Sequence, residues 1–266
     1  MKDRLTLPQK LTLLENRKEG WKNLYRSLFA HDWKIKTIVF SGPPGVGKSS
    51  ILNHLVKDET EDTAFLLVDP SSSISGGAVL ADRARFEFSK DKKKPFIRSI
   101  ASRGHHGGTT FSIWPFLRLF NSEKFEKVFI ESVGVGQTSE ELRDIADFLI
   151  IVLSPESGDA YQAVKAGLIE EADLIVINKS DRSGSESLET TMKTITGKKV
   201  ISISAKDNKN IENLKKIIEK TETKDTKRKL IAETKDFATS IFLDKLQDRL
   251  KNKKDIENPL DFDIGI

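Results

Sequence analysis

The sequence SGPPGVGKSS, residues 41–50, decides the fold of this chain, because it follows the apolar run IKTIVF (35–40) and precedes a helical pattern. It fits the phosphate-loop pattern G-x-x-x-x-G-K-[ST] from Gly42 to Ser49, in the strand–loop–helix context that the pattern requires. The glycines allow a tight bend whose N–H groups point at phosphate oxygens, and the following helix adds its positive N-terminal end. We expect Lys48 to reach the β- and γ-phosphates and the Ser49 hydroxyl to bind Mg²⁺. The predicted phosphate-binding residues are Gly42, Pro43, Pro44, Gly45, Val46, Gly47, Lys48, Ser49 and Ser50.

Short apolar runs rich in Val, Ile and Phe recur along the chain without strict alternation, which is typical of strands covered on both faces of a parallel sheet. Helical patterns lie between them. We therefore predict an α/β fold, a doubly wound and mostly parallel sheet, for residues 34–221, with helical appendages at 1–33 and 222–266. The predicted strands are 35–40, 64–68, 127–130, 148–153, 174–177 and 199–203, and the clearest predicted helices are 49–58, 160–172 and 210–221.

Composition narrows the class of protein. The chain has 266 residues and no cysteine, which excludes disulfides and thiolate metal sites. The longest apolar run, FLIIVL (148–153), is far shorter than the ~20 residues that cross a bilayer, and the first ten residues carry no secretory signal. The net charge of +4 is spread over 44 basic and 40 acidic residues rather than gathered in a patch. We expect a cytoplasmic protein without nucleic-acid or membrane partners.

The stretch LIVINKSD (174–181) places the pattern N-K-x-D at the end of a predicted strand. The Asp181 carboxylate can accept two hydrogen bonds from guanine, whose N1–H and exocyclic amine form a donor pair that adenine lacks. We expect Asn178 to meet the acceptor edge of the base and the stem of Lys179 to lie along the ring. In an open α/β sheet, ligands bind at the carboxyl ends of the strands. The next predicted strand leads into Ser204, Ala205 and Lys206, which resemble the second guanine-side loop of GTPases, so the sequence predicts GTP and GDP as ligands.

Acidic residues at other strand ends are candidates for the metal and the reaction. Glu131 ends a predicted strand and can hold a Mg²⁺-bound water, while the N–H of Gly134 can respond to the γ-phosphate. Asp69 and Asp82 are candidates for the metal shell or for positioning water, although Asp69 could instead cap a helix. Gln137 either orients the attacking water or is a solvated loop residue. The candidate metal residues are thus Ser49, Asp69, Asp82 and Glu131, and the candidate catalytic residues are Lys48, Asp82, Glu131 and Gln137.

Taken in order, six motifs resemble those of the methylmalonyl-CoA mutase-associated GTPases, the MeaB/ArgK-type family of P-loop GTPases. The resemblance covers about residues 8–221. The pattern VDPSS…SGG and the stretch ESVGVGQ are specific to the family, whereas the phosphate loop is shared widely. The motifs are GPPGVGKSS (42–50), LLVDPSSSISGGAVLADRAR (66–85), SRGHHGGTT (102–110), ESVGVGQTSEE (131–141), GLIEEADLIVINKSD (167–181) and SAKD (204–207).

The resemblance implies a GTPase that gates cofactor loading of an adenosylcobalamin-dependent mutase and helps eject damaged cofactor. It places Lys48 and Ser49 at the phosphates and Mg²⁺, and it implies that the segment 154–162 senses the mutase. Family members usually have threonine where Ser132 stands. In the family the C-terminal region makes a homodimer, and because that region is short here, the resemblance leaves the homodimer open.

Two other functions remain alternatives at this point. A metallochaperone GTPase that delivers nickel would need cysteine and histidine ligands, and the chain has no cysteine and four scattered histidines. A small-molecule kinase with a phosphate loop would need an acceptor pocket and would usually prefer ATP.

Overall fold

The computed structural model describes residues 5–69, 86, 88, 93–101, 113–132, 139–156 and 167–252, with the backbone alone at 69, 101, 139 and 242–252. In these residues seven parallel strands form one sheet in the order β3-β2-β4-β1-β5-β6-β7. The strands are β1 (Lys36–Ser41), β2 (Thr63–Asp69), β3 (Phe96–Ala101), β4 (Lys127–Glu131), β5 (Phe148–Leu153), β6 (Leu174–Ile177) and β7 (Val200–Ser202). The predicted α/β class and the parallel, doubly wound sheet are confirmed.

The apolar runs form strands because the middle of the sheet is buried on both faces. Strand β1 lies at the centre, paired with β4 on one side and β5 on the other. Three buried rings from neighbouring strands pack across one face. Phe65 stacks on Phe129 with 4.8 Å between ring centroids, and Phe40 lies 6.4 Å from Phe129. This packing fixes the order of the central strands, and therefore which loops meet at their carboxyl ends.

Helices connect the strands across both faces, as the alternating pattern predicts. Helix α3 begins at Lys48 directly after the phosphate loop, and its N-cap Gly47 has φ of 92°. The helices are α1 (Leu7–Glu15), α2 (Trp21–Leu28), α3 (Lys48–Val56), α4 (Ile113–Ser122), α5 (Ser139–Ile145), α6 (Leu168–Glu171), α7 (Ser185–Thr196), α8 (Ile211–Glu219) and α9 (Thr226–Asn252).

The two N-terminal helices pack against α4 within the compact unit that spans residues 1–224. The Gln9 side chain accepts a hydrogen bond from the N–H of Thr6 at the start of α1. The Asn121 side chain accepts from the N–H groups of Lys34 (2.7 Å) and Ile35 (3.1 Å), which anchors the entry into β1. A second compact unit begins at Asp225 and contains α9. The predicted boundaries at 33/34 and 221/222 stay predictions.

The structure differs from the sequence prediction at one edge of the sheet. Strand β3 (Phe96–Ala101) pairs with β2, although its sequence FIRSIA has no continuous apolar run. Arg98 and Ser99 interrupt the run, and a strand at the edge of a sheet tolerates such residues; among the described strands, β3 is paired with β2 alone. Among the described residues, no helix is long and apolar enough to span a bilayer.

Candidate functional site

The loops that carry the predicted motifs meet at one edge of the sheet. All strand pairs are parallel, so β1, β4, β6 and β7 end at the same edge, with the phosphate loop after β1 in the middle. Phe40, one residue before the end of β1, is in register with Glu131 at the end of β4. Residues far apart in sequence therefore come within contact distance at the carboxyl edge, where α/β sheets bind their ligands.

Two glycines of the phosphate loop stand where no other residue fits. Gly42 has φ of 137°, and a Cβ atom there would lie 2.1 Å from the carbonyl oxygen of Val152. Gly47 has φ of 92°, and its Cβ would lie 2.3 Å from Nδ2 of Asn178. L-residues rarely adopt either backbone conformation. The glycine pattern is thus explained by close approach to β5 and to the guanine-side loop.

The Lys48 ammonium folds back over the phosphate loop. Its Nζ donates to the carbonyl oxygens of Gly42 (2.7 Å) and Pro43 (2.9 Å), and the residue is 7% exposed. Val46 is fully buried beneath the bend, while Pro44, Gly45, Ser49 and Ser50 are exposed. These contacts hold the positive charge at the loop, where a phosphate group would neutralise it.

The structure brings two predicted metal residues together. The Ser49 hydroxyl donates to Oε1 of Glu131 at 2.7 Å, across 82 positions of sequence. Behind this pair, the Ser132 hydroxyl donates to the hydroxyl of Ser41 at 2.9 Å, and the Ser132 N–H donates to the carbonyl of Phe40. Ser132 thus makes a buried hydroxyl bond to β1. Asp82, Gly134 and Gln137, and the side chain of Asp69, lie outside the described residues.

Asn178 joins the phosphate loop to the second guanine-side loop. Its Nδ2 donates to the carbonyl oxygen of Val46 at 2.8 Å, and its Oδ1 accepts from the N–H of Ala205 at 3.1 Å. The side chain is 2% exposed. In this structure Asn178 is therefore a buried link between two loops, and its expected contact with the base stays a prediction.

Asp181 projects at the mouth of the site with its carboxylate already oriented. The Ser204 hydroxyl lies 2.9 Å from Oδ1 of Asp181 and 3.0 Å from Oδ2 of Asp207. The hydrogen bond from Ser204 lowers the pKa of Asp181 below its usual value, and a bond from its own backbone N–H and the nearby Lys206 and Lys179 charges add to the effect. Asp181 is thus ionised at neutral pH and accepts hydrogen bonds without donating, as recognition of a guanine donor pair requires.

Lys179 has φ of 61°, in the left-handed region that non-glycine residues seldom occupy. Its Nζ pairs with Oε2 of Glu156 at 2.5 Å, and Arg182 pairs with the same carboxylate. Glu156 follows β5, in the segment 154–162. This ion pair fixes the end of the Lys179 side chain and leaves its stem to line the site.

A cleft of about 370 Å³ is lined by the guanine-side residues together with Gly45, Gly47 and Ser50 of the phosphate loop, whereas Lys48, Ser49 and Glu131 do not line it. Its volume is within the range of small-molecule sites. Sequence reasoning missed three of its lining residues, Asn53, His54 and Arg182. Asn53 and His54 lie about one and a half helical turns after Lys48, where no motif marks them, and they could have been found from the 3.6-residue period of α3. The lining residues are Gly45, Gly47, Ser50, Asn53, His54, Asn178, Lys179, Asp181, Arg182, Ala205 and Lys206.

Comparison with protein families identifies relatives of most of the chain. The profile of the family described as methylmalonyl Co-A mutase-associated GTPase MeaB matches residues 7–255. The chain is 34% identical to GTPase ArgK of Escherichia coli over 186 residues, which are 67% of this chain and 56% of that protein. It is 36% identical to the mitochondrial methylmalonic aciduria type A homolog of Caenorhabditis elegans over 173 residues, 64% of this chain and 42% of that protein. The chain spans about half the length of these curated relatives.

Solved structures show the same fold. A structure of an LAO/AO transport system kinase superposes with a TM-score of 0.63 and 24% identity, covering 94% of this chain and 82% of that chain. The hydrogenase maturation factor HypB of Archaeoglobus fulgidus superposes with a TM-score of 0.53 and 19% identity, covering 80% and 98%. At these identities the likeness concerns the fold alone.

Proposed function

The chain belongs to the family of methylmalonyl-CoA mutase-associated GTPases, MeaB, and from this premise we propose that it binds and hydrolyses GTP. We propose further that its nucleotide state gates cofactor loading and protection of an adenosylcobalamin-dependent acyl-CoA mutase. One observation carries the first proposal: the phosphate loop and the Asp181 carboxylate line the same cleft.

Guanine recognition follows from the chemistry of that cleft. An ionised Asp181 offers two acceptor oxygens, and a guanine base offers two adjacent donors, whereas adenine offers no such pair. The Asn178 side chain donates a hydrogen bond to Val46 and accepts one from Ala205, and this pair of bonds keeps the guanine-side loops at a fixed distance from the phosphate loop. A rigid spacing favours a ligand whose base and phosphates are separated by one ribose, because the site then needs little reorganisation on binding.

Mg²⁺ is part of the proposed site. Ser49 and Glu131 present two oxygen atoms 2.7 Å apart beside the phosphate loop, and Mg²⁺ prefers oxygen ligands supplied by few carboxylates together with substrate phosphates. These two residues would hold the ion, which would neutralise phosphate charge when bound. Asp69 and Asp82 stay predictions as further members of its shell.

Hydrolysis requires stabilisation of negative charge on the transferred phosphoryl group. Lys48 would supply this stabilisation, because its Nζ is held against the loop carbonyls of Gly42 and Pro43 rather than in bulk water. A preorganised charge in a partly dry site costs little reorganisation during the reaction. We assign positioning of the attacking water to Gln137 or Asp82 as a prediction, and expect slow hydrolysis until a partner orders the site.

The mutase is proposed as that partner because the family is described by its association with methylmalonyl-CoA mutase. The loop after β4, which begins at Ser132, carries the predicted γ-phosphate sensor Gly134. A loop that changes conformation on hydrolysis can report the nucleotide state to a bound protein. Purified methylmalonyl-CoA mutase should bind the protein and raise its GTP turnover; absence of both effects would contradict the chaperone role and leave GTPase activity intact.

The test of guanine recognition is Asp181→Asn, with Asp207→Asn as its matched control. Both carboxylates contact Ser204, but Asp181 alone of the two lines the cleft. We expect Asp181→Asn to weaken GDP binding by up to about a hundredfold, because the variant loses a carboxylate acceptor for the guanine donor pair, and to improve xanthosine diphosphate binding. Asp207→Asn should change GDP affinity by less than about threefold by the same reasoning. Calorimetry with GDP and xanthosine diphosphate on wild type and on both variants measures these affinities, and unchanged GDP affinity in Asp181→Asn would refute the assignment.

Nucleotide competition separates the proposal from a phosphate-loop kinase. GTP should displace a fluorescent GDP analogue, and ATP should fail to do so at the same concentration. Displacement by ATP as effective as by GTP would favour the kinase. Stoichiometric Ni²⁺ binding in equilibrium dialysis would instead favour the metallochaperone.

A further inference from the structure

Helix α3, which begins at the phosphate loop, contacts the guanine-side loop through the side chain of one histidine. His54 lies six residues after Lys48, which places it about 9 Å further along the helix axis. Its Nε2 atom lies 2.6 Å from the carbonyl oxygen of Ala205, across 151 positions of sequence. His54 is half-buried and lines the same cleft as Asp181 and Lys206.

The contact requires a particular form of the imidazole ring. A peptide carbonyl oxygen accepts hydrogen bonds and cannot donate them, so Nε2 of His54 must carry the proton. The N–H of Ala205 is held by Oδ1 of Asn178 at 3.1 Å. Side chains from two separate elements therefore fix both polar groups of Ala205, a residue that is 7% exposed.

Further hydrogen bonds within the second guanine-side loop connect Ala205 to Asp181. Ser204 and Lys209 exchange backbone hydrogen bonds of 3.1 and 2.9 Å, and the Ser204 hydroxyl contacts the Asp181 carboxylate. A shift of the Ala205 carbonyl would therefore move Ser204 and change the orientation of Asp181. We propose that His54 is a positioning residue for guanine recognition, which holds the loop Ser204–Lys206 to the helix that begins at the phosphate loop.

This inference rests on the proposed function, because it assigns His54 to the guanine half of the same nucleotide site. It predicts a selective defect. Loss of the Nε2–H donor should weaken binding of the base and leave binding of a bare polyphosphate unchanged, since the hydrogen bond of the His54 side chain goes to Ala205 and not to the phosphate loop or Lys48. A residue that supported the fold alone would weaken both.

The experiment compares His54→Phe, which keeps a planar ring without the donor, with His54→Gln, which restores an N–H donor. His31→Phe, at an exposed position, is the matched control. For each variant of the 266-residue chain, calorimetry gives the Kd for GDP. Displacement of a fluorescent GDP analogue gives the dissociation constant for tripolyphosphate. We expect His54→Phe to raise the Kd for GDP about three- to tenfold, in line with the loss of one hydrogen bond. His54→Gln should lie within about twofold of wild type, and the tripolyphosphate constant should not change in either variant.

The possible outcomes test the role of His54 separately from nucleotide binding by the protein. If wild type fails to bind GDP, the proposed function fails and this inference with it. If wild type binds GDP and His54→Phe binds it equally well, or loses tripolyphosphate affinity in parallel, the role of His54 is wrong while the function stands. Should His54→Phe not fold, NMR of the wild-type imidazole decides: the Nε2–H tautomer is expected, and an Nδ1–H tautomer would overturn the proposal.

Discussion

Asn178→Ala tests the link that joins the phosphate loop to the guanine-side loop. The substitution deletes both hydrogen bonds of the side chain, to the carbonyl of Val46 at 2.8 Å and from the N–H of Ala205 at 3.1 Å. Val46 is fully buried and Asn178 is 2% exposed, so water has little access to the two backbone groups. Both groups then lose their side-chain partner inside the protein.

The structure sets the size of the effect. A buried polar group left without its partner costs ~1–3 kcal/mol. With two groups and partial relaxation, we expect the free energy of unfolding to fall by about 2–4 kcal/mol. For the unit of residues 1–224, this corresponds to a decrease in Tm of roughly 4–16 °C, at about 2–4 °C per kcal/mol.

Urea unfolding of the nucleotide-free protein measures the loss, and Asn16→Ala is the control. Asn16 is exposed and its side chain donates to the carbonyl of Thr12 at 3.0 Å, so its replacement should cost about 0.5 kcal/mol or less. Asn178→Asp keeps the acceptor for Ala205 but turns a carboxylate oxygen toward the Val46 carbonyl, and it should also destabilise. A loss below about 0.5 kcal/mol in Asn178→Ala, or wild-type stability of Asn178→Asp, would refute the link.

Three further predictions concern other parts of the unit. Gly42→Ala should lower the free energy of unfolding by about 2 kcal/mol or more in urea unfolding, because φ is 137° and the new Cβ would meet the Val152 carbonyl at 2.1 Å; an unchanged midpoint would contradict this geometry. Ser49→Ala should lower kcat for Mg²⁺-dependent GTP hydrolysis about tenfold or more while GDP affinity without Mg²⁺ stays near wild type, and equal loss in both assays would argue against a metal role. Burial alone would raise the pKa of Asp173, but hydrogen bonds from Arg143 and other donors outweigh it, so the pKa is lowered in the folded protein. Its stabilising effect is present above pH ~4 and is lost as pH falls through the folded pKa, so Asp173→Asn should be less stable than wild type at pH 7, and the difference in urea midpoint should shrink in acid.

The sequence alone determined the class of fold and the ligand-binding motifs. Apolar runs without alternation predicted the central parallel strands because burial on both faces leaves no polar side to the strand. The glycines around Lys48 predicted a phosphate loop because a backbone that must wrap an anion needs positive φ and no Cβ at fixed spacings. These signals are local, so a short stretch of chain is enough to carry them. Strand β3 was missed because Arg98 and Ser99 break the local signal at a sheet edge.

Only the tertiary structure decided which motif residues touch. The bond from Asn178 to Val46 spans 132 positions, that of Ser49 to Glu131 spans 82, and that of His54 to Ala205 spans 151. The Ser49–Glu131 contact depends on β4 lying beside β1, and the other two depend on β5, β6 and β7 following one another on the other side of β1. No local pattern in the sequence sets this order. A motif can state that a carboxylate follows a strand, but the position of that strand in the sheet decides what the carboxylate meets.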